Sequence, residues 1–129
     1  MIALVATVDG VYRLDLETEE VEPGEPFEPV PDPPLRLPRL VAAAEAGSTV
    51  VAVVDARPPL LVSHDAGSTW RESGRGLPPG RAVAAAAADP DVLLYAARNR
   101  LYLSRDGGVF WAPLPLELPE ILSVALTEG

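Results

Sequence analysis

Apolar positions along this chain fall in short runs cut off by turn residues: STVVAVVDA at 48–56, PLLVS at 59–63, DVLLYAA at 91–97 and RLYLS at 100–104. Their β-branched and aromatic content, bounded in this way, predicts strands. Fifteen prolines and ten glycines leave little room for long helices. One stretch pulls the other way, RAVAAAAADP at 81–90. Alanine is the best helix former, so propensity alone predicts two helical turns there.

The runs repeat. LLVSHDAGSTWRESG at 60–74 has a second copy in LYLSRDGGVFWAPLP at 101–115, with Ser63 and Ser104, Asp65 and Asp106, Gly67 and Gly108, and Trp70 and Trp111 each 41 residues apart. Leu77-Pro78 and Leu118-Pro119 keep that spacing. Upstream, RLVAAAEAGSTVVAVV aligns with RAVAAAAADPDVLLYA at an offset of 42, pairing Arg39 with Arg81 and Val50 with Val92. A period near 41 holding about four short strands is that of a β-propeller blade. The Ala-rich run then falls on an inner strand, where small side chains suit crowding around an axis.

The residues Ser63-His64-Asp65-Ala66-Gly67-Ser68-Thr69-Trp70 match S-x-D-x-G-x-T-W at every fixed position, and Ser104 to Trp111 match it except for Phe110 in place of Thr. This resembles the Asp-box, or BNR repeat, of sialidase-like β-propellers. The resemblance covers residues 39–119 well and the first 38 weakly. It implies that each box joins the third and fourth strands of a blade, away from the ligand face, and acts as a structural clasp. Physical chemistry agrees: Asp65 can accept backbone N–H groups of the turn, Gly67 supplies a left-handed backbone, and Trp70 covers the turn. Ser63, Asp65, Gly67, Thr69, Trp70, Ser104, Asp106, Gly108 and Trp111 are therefore expected to be structural.

Assigning strands within the period gives blade two at 39–78 and blade three at 79–119. The segment 1–22 supplies the later strands of blade one, and 120–128 (EILSVALTE) supplies its missing first strand, because Val124 falls 41 residues after Val83. A Pro-rich connection spans 23–38 and is expected to be extended and stiff. Three blades do not close, since propellers need four to eight. The expected assembly is a homodimer forming a six-bladed ring, in which residues 120–127 pair across subunits with the strand near Ile2 to Ala6. A ring with no open edge results.

Charge and candidate chemistry change this picture little. Nineteen acidic against ten basic residues, a net charge of −9, argue against nucleic acid as partner. The absence of cysteine excludes disulfides and thiolate catalysis. A start without a basic region and no apolar run of membrane-spanning length predict a soluble, cytoplasmic chain with no membrane partner. The single histidine, His64, adjoins Asp65, but neighbours on an extended strand point to opposite faces, so it is expected to be an exposed turn residue. No metal site, cofactor or catalytic residue is expected, and the arginine cluster, Tyr and acidic residues of sialidases have no counterparts to assign. Loops at one end of the blades carry Arg57, Arg98 and Arg100, with Arg39, Arg75 and Arg81 nearby. They are the candidate binding residues for an anionic ligand in an otherwise acidic protein. The expected function is a noncatalytic binding or scaffold propeller, taking a protein or small anion. The alternative is a glycosidase-like or lectin-like propeller that binds an acidic sugar.

Overall fold

The computed structural model describes residues 1–128. They form twelve strands and, among the described residues, no helix: β1 Ile2–Thr7, β2 Gly10–Asp15, β3 Val21–Pro23, β4 Leu40–Ala46, β5 Thr49–Val54, β6 Leu60–Ser63, β7 Arg71–Ser73, β8 Ala82–Ala86, β9 Asp89–Ala96, β10 Leu101–Ser104, β11 Ala112–Pro113 and β12 Ile121–Thr127. Three antiparallel four-stranded sheets result. Sheet one has the order β12-β1-β2-β3, sheet two β4-β5-β6-β7 and sheet three β8-β9-β10-β11. No helix among the described residues is long and apolar enough to cross a membrane.

Sheet three lies between the other two. One of its faces packs Ala84, Leu94, Leu101 and Leu103 against Ala3, Val5, Leu14, Ile121 and Val124 of sheet one. Its other face packs Val83, Leu93, Tyr95 and Trp111 against Ala44, Val51, Val53, Leu60 and Val62 of sheet two. Strand β8 therefore touches both β4 and β12. This explains why the Ala-rich run is extended: alternate residues of β8 are buried in two different cores, and burial on both faces outweighs alanine's helical preference. Small side chains let the three inner strands approach.

The hydrogen-bond register revises the upstream alignment. Ser63 stands opposite Val50, and Ser104 stands opposite Leu93, so the counterpart of Val50 is Leu93 and not Val92. On the inner strands Ala44 faces Val51 as Ala84 faces Leu94, which makes Ala84 the counterpart of Ala44. The two hairpins differ in length, with a bulge between Ala85 and Ala86 in the second. A slip of one residue moves a side chain to the opposite face of a sheet. The corrected register therefore decides which side chains of the two repeats are equivalent.

The C-terminal strand reaches the first sheet of its own chain: β12 pairs with β1, Val124 opposite Val5 and Leu126 opposite Ala3. The reason is the order of the sheets. Because sheet one stacks on sheet three, the chain leaving sheet three arrives beside its own first strands. The return path is the connection Gly24–Arg39, which has six prolines and no strand. In an extended, polyproline-like form its 16 residues reach about 50 Å.

Candidate binding cleft and the repeated turns

The two repeated turns, Ser63–Trp70 and Ser104–Trp111, are closed by three equivalent bonds. Ser63 Oγ donates to Asp65 Oδ1 at 2.7 Å and accepts from Gly67 N at 2.8 Å, while Thr69 N donates to Asp65 Oδ1 at 2.8 Å. In the second turn Ser104 Oγ donates to Asp106 Oδ1 at 2.8 Å, Gly108 N donates to Ser104 Oγ at 2.9 Å, and Phe110 N donates to Asp106 Oδ1 at 3.0 Å. Gly67 and Gly108 have φ of 90° and 88°, values that favour glycine. The side chains of Ser63 and Ser104 are buried with their bonds made. These carboxylates are spent on the turns.

The turns differ in what the Thr position supplies to the carboxylate. Thr69 Oγ1 donates to Asp65 Oδ2 at 2.5 Å, whereas Phe110 has no hydroxyl and leaves its ring 68% exposed. The Thr69 hydroxyl, then the Thr69 amide and the Ser63 hydroxyl, hold Asp65 below the usual carboxylate value of 3.8, at about 2. Asp106 is lowered as well, first by the Phe110 amide and then by the Ser104 hydroxyl. A folded-state value below the unfolded one means that Asp65 contributes stability above pH 4, which is lost as pH falls from about 4 through about 2. Denaturant midpoints of the wild type and Asp65→Asn should therefore differ at pH 6 and converge by pH 2. A difference that stays constant over this range would contradict an ionised clasp.

His64 does not pair with Asp65. Its ring is exposed at the junction of sheets two and three, where Arg71 donates to Nε2 at 3.3 Å and Thr49 Oγ1 lies 3.3 Å from Nδ1. With Nε2 accepting, Nδ1 carries the proton and donates to Thr49. Arg71 also donates to Gly107 O at 3.4 Å, so this set of polar groups ties one repeated turn to the other. The Trp111 ring is buried in the core between the two sheets, and its Nε1 donates at 2.9 Å to Ser73 Oγ, which in turn donates to Gly108 O.

The three candidate arginines do not converge. Arg98 and Arg81 both pair with Glu120, at 3.7 and 2.8 Å, and Arg100 pairs with Glu117 at 3.1 Å. Both glutamates sit where the chain passes from sheet three to β12. Arg57 instead lines a cleft of about 730 Å³ at the corresponding junction of sheets two and three, together with Arg75, Asp55, Val41, Val54 and Leu77. Four prolines, Pro58, Pro59, Pro78 and Pro79, complete its wall. Beneath it Tyr95 donates its hydroxyl to Pro78 O at 2.6 Å, and burial pushes that phenol's pKa up. A side chain at Gly80 would collide with the Tyr95 ring, its Cβ falling 2.3 Å from the ring edge.

The two junctions share Leu-Pro, but RGLPPG at 75–80 carries no acid where LELPEI at 116–121 carries Glu117 and Glu120. This is why one set of arginines is neutralised and the other is not. Among the described residues Arg57 makes no ion pair, and Arg75 makes only a long one, 3.8 Å to the exposed Glu72. Sequence reasoning identified Arg57 but grouped it with Arg98 and Arg100; the signal that separates them is the placement of these two glutamates. No cluster of His, Cys, Asp and Glu suited to a metal ion occurs among the described residues. Comparison with models of known families, with curated proteins and with solved structures returned no match.

Proposed function

We propose that the protein is a noncatalytic binding module, its three sheets being three blades of an Asp-box propeller that closes as a six-bladed ring, with a small organic anion held in the cleft edged by Arg57 and Arg75. The observation that carries this reading is the contrast between junctions: Arg98 and Arg100 are neutralised by Glu120 and Glu117, whereas Arg57 lines a proline-walled cleft and makes no ion pair among the described residues, even with Asp55 of the same wall. A planar guanidinium matches a carboxylate or phosphate in two-point geometry, and apolar walls lower the competition from water. The acidic groups of the repeats are engaged in their own turns, which supports binding over acid–base chemistry.

The test is thermal shift with citrate, inorganic phosphate and a sialoside. A ligand present at about one hundred times its Kd should add about 2.7 kcal/mol to the stability. The shift should be lost in Arg57→Ala and kept in Arg100→Ala. No shift with any of the three anions would overturn the reading, and turnover of the sialoside would replace it with a carbohydrate-active one.

A further inference from the structure

The corrected register gives sheets two and three equivalent faces. The face that sheet three turns toward sheet two carries Val83, Leu93, Tyr95, Tyr102 and Trp111. Their counterparts in sheet two are Ala43, Val50, Ala52, Leu61 and Trp70, on the face turned away from sheet three. No strand of another sheet packs there, since β8 and β9 are the foreign strands that reach sheet two. Ala43, Val50 and Ala52 are buried, but Leu61 and Trp70 on the outer half of that face are only half buried. Trp111, at the equivalent place, is 8% exposed because sheet two covers it. The seat of Trp70 is incomplete.

A second observation points to what completes it. Of the three inner strands, β8 has a neighbour on each side, whereas β4 and β12 each have a neighbour on one side, and β12 exposes Leu122 at 52%. These are the inner strands of the two sheets that end the stack. The face of sheet one turned away from sheet three carries Ile2, Leu4, Ala6 and Arg13, with the exposed Arg13–Glu22 ion pair at 3.1 Å on its outer half. The stack therefore ends in two unlike faces, each continuing an apolar core already built inside the chain.

We infer that a second copy of this chain covers Trp70, sheet one of each copy packing on sheet two of the other, so that two identical contacts close a ring of six sheets. The inference rests on the propeller reading above and names the partner that reading requires. Each chain keeps its own β12 on β1. In the contact, β4 of one copy meets the strand that carries Leu122 in the other, as β4 and β12 each meet β8 within one chain. Trp70 lies over the outer half of sheet one, its indole against the Arg13–Glu22 pair, with cation–π attraction to Arg13 and an Nε1–H available to Glu22. A Trp in a desolvated central seat is the residue type that dominates protein interfaces. Two contacts related by a two-fold axis leave no face free, which limits the assembly to a closed pair.

Light scattering after size exclusion tests this. The wild type should elute at about twice 13.6 kDa, and both Trp70→Ala and Leu122→Glu should elute as folded monomers. Leu122 is exposed on the isolated chain, so its substitution disturbs association without disturbing a core. In a Trp111→Phe background the emission of Trp70 should shift to the red on dilution through the dissociation range. A monomeric wild type at high micromolar concentration, or a dimer that survives both substitutions, would overturn the inference. The cleft lies within one chain, so thermal shift by an anion on a monomeric protein would leave the binding module standing while the ring fails. A dimer that no anion stabilises would do the reverse.

Discussion

Removing residues 120–129 should leave a chain that does not fold at 25 °C. β12 completes sheet one and packs on β8, so its loss exposes two surfaces at once. Ile121 is fully buried and Val124 nearly so, and each such side chain stabilises by about 1.5–3 kcal/mol. Six residues of β1, Ile2 to Thr7, lose their cross-strand partners and become an unpaired edge next to an opened core. Together these losses approach the whole stability of a small domain, about 5–15 kcal/mol. The expected observation is loss of the cooperative thermal transition, with aggregation through the bare β1 edge. A truncated chain that melts cooperatively within a few degrees of the parent would show that sheet one is dispensable. Supplying a peptide of residues 120–129 in trans should restore folding if the seam with β1 is what was lost.

Much of this was legible in the sequence, and the parts that were not have physical reasons. The 41-residue spacing between Ser63, Asp65, Gly67 and Trp70 and their second copies survives in the structure because the β6–β7 and β10–β11 turns have the same length and equivalent bonds. The Ala-rich run was assigned to a strand on its place in the repeat, against its propensity, and β8 bears this out. The upstream offset of 42 failed because an alignment of similar letters cannot see a hairpin that lengthens by a bulge, and Val50 was matched to Val92 on the wrong face. Pairing of β12 with β1 within one chain depends on the order in which sheets stack, which no local pattern records. The separation of Arg57 from Arg98 and Arg100 was recoverable, since Glu117 and Glu120 flank the second Leu-Pro and have no counterparts at the first.

Trp111→Ala should be the most damaging single substitution at the repeats, far more so than the same change at Trp70 in the monomer. The Trp111 indole is buried among Val51, Val53, Leu60, Val62, Leu93 and Tyr95, with its ring 6.1 Å from that of Tyr95 in an edge-to-face arrangement. Truncation leaves a cavity between sheets two and three and costs about 3–5 kcal/mol. For a chain of this length that lowers Tm by roughly 10–20 °C. Ser73 keeps its bond to Gly108 O, so the loss is mainly of packing, with one hydrogen bond from Nε1 added. Trp70 stacks over Gly67 and remains half solvated, so its removal costs the isolated chain less. The comparison is therefore best made on an obligate monomer, the Leu122→Glu background, by calorimetry of the two tryptophan variants. Equal destabilisation there would mean that Trp70 already has a buried seat within one chain, and it would remove the asymmetry on which the covering of Trp70 by a second copy depends.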